Sequence, residues 1–268
     1  KMDGLGNDFV IIDQRIHDFN LSKDQIIKIC DRNYIGCDQL ILIKKSRKID
    51  AGLEFYNSDG STSGACGNGT RCTADLLSKE NGQKEITVWT SSGSLKSKIL
   101  ENNLVETELG TPKINWYEIP LSKKSDTKEL KIEIIDKNNN KHVGGVAVNV
   151  GNPHIVFFVN DIESFDLKKI GPEIENHELF PEKCNVTLAK IISKNLIKVK
   201  VWERGAGLTK ACGTAACATA VAANLKGLIN KTTDIEFALG KLTILIDKKN
   251  SIHMKGPVSD IKDIEIKL

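Results

Sequence analysis

At 268 residues the chain is longer than one core usually supports, which favours two domains of near-equal size. Forty per cent hydrophobic and 27 % charged residues place it outside the disordered, fibrous and membrane classes. Thirty-eight Lys+Arg against 35 Asp+Glu, interleaved for a net charge of +3, are too balanced for a nucleic-acid footprint, and no basic run carries aromatics that could stack bases.

At the N-terminus no positive region leads into an apolar core and a cleavage site. No uncharged apolar run nears the ~20 residues that span a bilayer. A cytoplasmic location follows as the expectation, and the seven cysteines then read as reduced thiols.

In chain order, a β run at 9–13 is entered through Gly4-Leu5-Gly6-Asn7, and a strand-like run follows at 52–56. A helix is predicted over 69–81, directly after Ala65-Cys66-Gly67, with Gly82 as its stop. Three short β runs close this half, with turn chemistry at Ser91-Ser92-Gly93 and Asn102-Asn103. Residues 114–149 read as a connector and a hairpin, its strands at 130–135 and 143–148 and its turn at Asn138-Asn139-Asn140. Then come a β run at 155–159, a strand at 196–202 and a helix at 214–226 that stops at Gly227. Closing runs turn at Lys248-Lys249-Asn250, and 261–268 is predicted as a last strand.

This order of elements occurs twice, as an internal repeat should. "GLGNDFVIID" (4–13) resembles "NVGNPHIVFFVND" (149–161), so that Gly6 and Asn7 answer to Gly151 and Asn152, 145 positions later. "ACGNGTRCTA" from Ala65 answers to "ACGTAACATA" from Ala211 at an offset of 146, which also pairs Gln39 with Asn185 and Asn57 with Glu203. The predicted fold class is α+β: two similar domains related by a pseudo-two-fold, each a curved sheet around a central helix. Their expected extents are 1–113 with 258–268, and 114–257, with the active site in the cleft between them.

Cys66 and Cys212 each stand in a glycine-bracketed turn directly before a helix. Unpaired N–H groups and the helix dipole favour negative charge there, lowering a thiol pKa and offering a cradle for a carboxylate. Inverting a carbon that bears hydrogen requires a proton to leave one face and another to arrive on the opposite face. Two mirror-related thiols meet that need, exchanging the parts of base and acid with the direction of reaction, and two helix N-termini would take up the charge of an enolate-like carbanion. No Rossmann fingerprint, no P-loop and no lysine marked as a Schiff-base former is present, so no cofactor is expected. A metal is not expected either: Cys66/Cys72 and Cys212/Cys217 have the wrong spacing for zinc, with no CxxC and no HxxxH.

"GLGNDF" (4–9), "NSDGSTSGACGNGTRC" (57–72), "GNPH" (151–154) and "ERGAGLTKACGTAACA" (203–218) resemble the diaminopimelate epimerase family over essentially the whole chain. The resemblance implies a cofactor-independent isomerase that converts LL- to meso-diaminopimelate in lysine and cell-wall precursor biosynthesis, with Cys66 and Cys212 as its catalytic cysteines. It carries substrate-binding positions onto Asn7, Gln39, Asn57, Asn152, Asn185, Glu203 and Arg204, and backbone groups onto Gly67, Asn68, Gly213 and Thr214. His154 and Glu203 match residues that assist the thiols. The family usually has glutamate where Thr62 and Leu208 stand, glycine at Ala215 and phenylalanine at Leu188.

Taken singly, a free cysteine is more often a small buried hydrophobe, which is the reading given to Cys30, Cys37, Cys72, Cys184 and Cys217. A proline-type racemase of the same two-cysteine design and a non-catalytic amino-acid-binding module are the competing readings. The partner expected is a small amino-acid substrate, without nucleic acid or membrane; a homodimer is compatible with the sequence.

Overall fold

The computed structural model describes residues 1–17, 19–64 and 66–267, and it divides into two compact units, 1–109 with 255–268 and 110–254. In unit 1 the elements run β1 (Met2–Asp3), β2 (Asp8–Asp13), α1 (Lys23–Cys30), β3 (Gln39–Lys44), β4 (Ala51–Asn57), β5 (Thr62–Ser63), α2 (Gly67–Asn81), β6 (Glu85–Thr90), β7 (Gly93–Ile99) and β8 (Leu104–Glu108). Unit 2 opens with a hairpin of its own, β9 (Ile132–Ile135) and β10 (Lys141–Gly144). It continues with β11 (Val146–Asn149), β12 (Pro153–Phe158), α3 (Leu167–Glu175), β13 (Asn185–Ser193), β14 (Leu196–Glu203), β15 (Gly207–Thr209), α4 (Gly213–Leu225), β16 (Thr232–Phe237), β17 (Gly240–Ile246) and the first half of β18 (Ile252–Pro257), whose residues from Lys255 on belong to unit 1.

Strand order in unit 1 is β1-β2-β3-β4-β6-β7-β8 with β5 on β4; in unit 2 it is β11-β12-β13-β14-β16-β17-β18 with β15 on β14. The two lists match strand for strand. The parallel pairs match too, β2 with β3 and β4 with β6 in one unit, β12 with β13 and β14 with β16 in the other. The repeat read from motifs is thus a repeat of topology.

Alternation along β3 sets which helix covers which face. Ile41 and Ile43 pack with Phe9, Phe55, Cys72 and Leu77 on the α2 side, whereas Leu40 and Leu42 join Val10, Ile26, Ile29 and Cys30 on the α1 side. In unit 2, α3 contributes Leu167, Ile170 and Ile174 to a core with Ile155, Phe157, Val186 and Leu188. Helix α4 is buried from Ala215 to Ala223 and reads as an apolar, small-residue run because the protein surrounds it.

Helices α1 and α3 fall outside the two that the sequence reading marked. Helix α1 starts with a capping box, Ser22 Oγ accepting from Gln25 N while Gln25 Oε1 accepts from Ser22 N, and α3 starts on Asp166, which accepts from Lys168 N. Two further expectations are corrected. The run 143–148 splits into β10 and β11 at Gly145, whose φ of 107° turns the chain, and an added Cβ there would stand 2.7 Å from Ile155 Cδ1. Residues 261–267 form no strand. That tail is tied down by Lys267 N and O, both bonded to Tyr34 Oη at 2.9 Å, and by Ile264 and Ile266 packed on the α1 core; Leu268 lies outside the described residues. Among the described residues no helix is long and apolar enough to cross a membrane.

Candidate active site

The two cysteines begin their helices in the same way. Cys66 is the N-cap of α2 with φ −138° and ψ 114°, and Cys212 is the N-cap of α4 with φ −145° and ψ 117°. Neither side chain caps its helix, and no aspartate or glutamate stands in either first turn. Each start is therefore a set of N–H groups suited to an incoming anion. Ala65, which precedes Cys66, lies outside the described residues.

Around Cys66 the polar groups come from the turn that precedes β2. Leu5 and Gly6 both take positive φ, 64° and 80°, which folds Asn7 back onto the start of α2; a Cβ on Gly4 would stand 3.3 Å from Asn68 Cβ. Asn7 Nδ2 donates to Asp38 Oδ2 at 2.9 Å, and Asn7 Oδ1 accepts from Asn68 Nδ2 at 3.3 Å and faces Cys66 Sγ at 3.8 Å. Because Asp38 can only accept, it fixes which end of the carboxamide meets the thiol. Gln39 and Asn57 stand opposite each other on β3 and β4, joined from Gln39 Nε2 to Asn57 Oδ1 at 2.9 Å.

In unit 2, Asn152, His154, Asn185 and Arg204 form one network. His154 Nε2 lies 2.9 Å from Asn152 Oδ1, an acceptor, so Nε2 is assigned the ring proton. The longer 3.4 Å approach of Asn185 Nδ2 does not compete, since that amide already donates to Pro153 O at 3.0 Å. His154 Nδ1 then faces the interior as a lone pair without a hydrogen-bond partner among the described residues. Asn185 Oδ1 accepts from Arg204 N at 3.0 Å, and Arg204 Nη1 donates to Glu182 O at 2.8 Å.

Burial, followed by the Arg204 charge, pushes the His154 pKa down to about 3, so the ring is neutral at physiological pH. The ring gains a proton more readily in the unfolded chain, near the ordinary 6.5. Its contribution to stability is therefore complete above 6.5 and is lost as pH falls toward 3. Denaturant unfolding of His154→Gln against the parent is expected to show a shallower loss of stability across that window, the difference amounting to a few kcal/mol; superimposable pH profiles would remove His154 as the cause.

Cys212 is buried, and burial pushes its thiol pKa well up; the Glu203 carboxylate beside it adds to the rise. The Thr214 hydroxyl, 3.3 Å from Sγ, and the N–H of Ala215 pull the other way without overcoming it. The expected lowering at a helix start is therefore not the net result here: Cys212 stands as a thiol, hydrogen-bonded to Glu203. Cys66 is only partly buried. The repeat places similar groups, and their surroundings differ.

Glu203 ends β14, and Glu175 anchors the chain on either side of it. Trp202 Nε1 donates to Glu175 Oε2 at 2.7 Å and Gly205 N donates to Glu175 Oε1 at 3.2 Å. Gly171 in α3 makes room for the indole, since a Cβ there would stand 2.5 Å from Trp202 Cδ2. Sequence reasoning missed both anchors, Glu175 and Asp38. Its only signal for them was an acid standing in each domain outside the repeat register.

Strand register agrees with the 145-residue offset: His154 pairs with Asn185 as Phe9 pairs with Gln39, so His154 answers to Phe9, while Asp8 is held by Lys1 and Arg32 at 3.0 and 2.7 Å. This accounts for Ala215. A Cβ on its counterpart Gly69 would meet Ile41, Phe55 and Phe9 at 2.8, 3.0 and 3.2 Å, whereas the equivalent places in unit 2 hold Thr187, Val201 and His154, which are smaller. Thr62 and Leu208 are equivalent to each other, facing Tyr56 and Trp202 across short hairpins, and both are exposed. Leu188 is fully buried in the α3 core. Among the described residues no group of three or more His, Cys, Asp or Glu could hold a metal ion.

Comparison with known proteins adds the following. The family profile described as Diaminopimelate epimerase matches residues 1–115 and 146–261. A diaminopimelate epimerase of Pelagibacter ubique is 80% identical over 268 residues, covering 100% of this chain and 98% of the relative. One of Acidiphilium cryptum is 41% identical over 99% of this chain and 95% of its own. Among solved structures, a predicted epimerase from Pseudomonas aeruginosa superposes with a TM-score of 0.69 at 14% identity, covering 99% of this chain and 97% of that one. A hydroxyproline epimerase from Agrobacterium vitis with bound trans-4-hydroxy-L-proline gives 0.67 at 11% identity, covering 97% and 88%. At such identities these two structures speak to the fold.

Proposed function

The chain belongs to the diaminopimelate epimerase family, and from that premise we propose which of its residues carry the reaction. The activity is the epimerisation of LL- to meso-diaminopimelate. One observation supports the assignment above the others: cysteine occupies the N-cap of both central helices, with the same backbone geometry in each.

In this reading Cys66 and Cys212 serve as the two proton carriers on opposite faces of one α-carbon, one as thiolate taking the proton and the other as thiol returning one. The N–H groups of Gly67, Asn68, Gly213 and Thr214 receive the reacting carboxylate and hold the charge that develops as the α-carbon is deprotonated. Glu203 accepts the proton of Cys212, and neutral His154 orients Asn152 by donating Nε2–H to its Oδ1. Asn7, Gln39, Asn57, Asn152 and Asn185 bind the amino groups and carboxylate oxygens, and Arg204 grips the distal carboxylate. No cofactor is needed in this scheme, because the helix starts supply the stabilisation that an electron sink would otherwise provide. We place the enzyme in the cytoplasm, whose reducing poise keeps the thiols of Cys66 and Cys212 free.

The test is a side-by-side assay of diaminopimelate, proline and glutamate without added cofactor. The expected result is interconversion of LL- and meso-diaminopimelate alone, since proline has no second charged end and glutamate offers Arg204 a distal carboxylate without the second amino group that the amides address. Racemisation of proline at a comparable rate would contradict the assigned binding residues.

A further inference from the structure

The interior of unit 1 holds a second pair of thiols that the reaction does not use. Cys30 ends α1 and Cys37 lies just before β3; their exposures are 3% and 1%, and Cys37 Sγ donates to Cys30 Sγ at 3.4 Å. The backbone brings them together, with Cys37 N donating to Cys30 O at 3.3 Å and Gly36 N to Ile29 O at 3.1 Å. We infer that Cys30 and Cys37 are a site of reversible oxidation, closing an intradomain disulfide whose formation disturbs the Cys66 half of the active site.

The repeat shows what this corner looks like without the pair. At the same place in unit 2, Cys184 N donates to Glu175 O at 3.3 Å, and Glu175, the last residue of α3, uses its carboxylate to hold Trp202 and Gly205. In unit 1 the last residue of the helix is instead a thiol whose sulfur points at another sulfur. Two such groups need about 1.4 Å of approach to reach a bond of ~2.05 Å.

The two thiols are unequal. The hydrogen bond from Cys37 lowers the Cys30 pKa against the opposing effect of burial, and Arg32 lowers it further; the same bond, with burial, raises Cys37. Cys30 is therefore the attacking group once the intervening turn opens, and Asp31, Arg32, Asn33 and Tyr34 in that turn are already exposed. The oxidant is a small-molecule disulfide of the glutathione class. Cys30 thiolate, its proton given to solvent, attacks one sulfur and releases one thiol, forming a mixed disulfide. Cys37 sulfur then attacks Cys30 Sγ, loses its proton and releases the second thiol, so two protein thiols are oxidised as one small disulfide is reduced to two thiols.

Asp38 connects this event to the active site. It follows Cys37 directly, and its carboxylate orients Asn7, which faces Cys66. Drawing Cys37 toward Cys30 moves that carboxylate. This last step rests on the reading of Cys66 as a catalytic group; the disulfide itself does not.

The protein is incubated natively with glutathione disulfide, its remaining thiols are blocked with N-ethylmaleimide, and tryptic peptides are mapped by mass spectrometry. The expected product joins peptides 29–32 and 33–44, appears before Cys72, Cys184 and Cys217 react, and disappears with dithiothreitol. At an oxidant ratio that leaves Cys66 and Cys212 open to alkylation, epimerase activity is expected to fall several-fold and return on reduction, while Cys30→Ala and Cys37→Ala hold theirs. Blocking of both thiols only after unfolding, with no joined peptide, overturns the site. A joined peptide with undiminished activity overturns its connection to Cys66 and leaves the epimerase assignment untouched.

Discussion

Replacing Cys66 or Cys212 with alanine is expected to lower the rate of epimerisation by ~10²–10⁴-fold, the range that a positioned proton carrier contributes. Each variant removes one sulfur from a helix start whose N–H groups remain, so substrate binding should survive and the loss should fall on kcat. The fold should survive as well. Cys66 is partly exposed, and Cys212 begins a helix whose apolar burial lies further along, in Ala215 to Ala223. Unchanged thermal melting with collapsed kcat for both variants is the expected pattern; retention of full activity by either would refute a two-thiol reaction.

Glu203→Gln is expected to cost about 10²-fold or more in kcat and to move the titration of Cys212 downward. The sign follows from the neighbours of the thiol. Burial is the chief cause of its raised pKa, and the Glu203 carboxylate adds to it. Neutralising that carboxylate removes one raising influence and leaves the lowering ones, Thr214 and the N–H of Ala215, in place. Alkylation of Cys212 by iodoacetamide as a function of pH would then begin at lower pH in the variant, although the enzyme is slower. A variant with a lower thiol pKa and parental kcat would show that Glu203 only perturbs Cys212 and takes no proton from it. A local readout of this kind separates the role from mere support, because Trp202 and Gly205 are held by Glu175 and not by Glu203.

Much of this was legible in the chain because duplication makes a sequence comment on itself. The match of Cys66 with Cys212, and of Gln39 with Asn185, singled out candidate site positions that no one motif could single out, and both central helices start and stop within two residues of the glycine-based prediction. Helices α1 and α3 were harder to read. Each is short and gains its stability from one packed face, so its periodicity is brief and the capping residues Ser22 and Asp166 were the better signal. The tail at 261–267 alternates like a strand, yet its polar main chain is tied by side-chain and loop contacts, a distinction that periodicity does not carry.

The thiol at Cys212 marks a different limit. A helix start lowers a cysteine pKa in the abstract, but the balance at this one is set by how completely the surrounding strands exclude water and by an acid nine residues earlier in the chain. Neither quantity is a property of the local motif. The same holds for Ala215, whose extra methyl is permitted by residues on three separate strands, Thr187, Val201 and His154.

The origin of the hydrogen on the inverted carbon tests the central claim most directly. Single-turnover conversion of LL-diaminopimelate in deuterium oxide, read by mass spectrometry at the α-carbon, is expected to give meso product carrying one solvent deuteron while recovered substrate stays unlabelled, because the proton removed by one thiol is not the one delivered by the other. Meso product that keeps the original hydrogen would mean a single base returning its own proton, and would contradict the paired roles of Cys66 and Cys212.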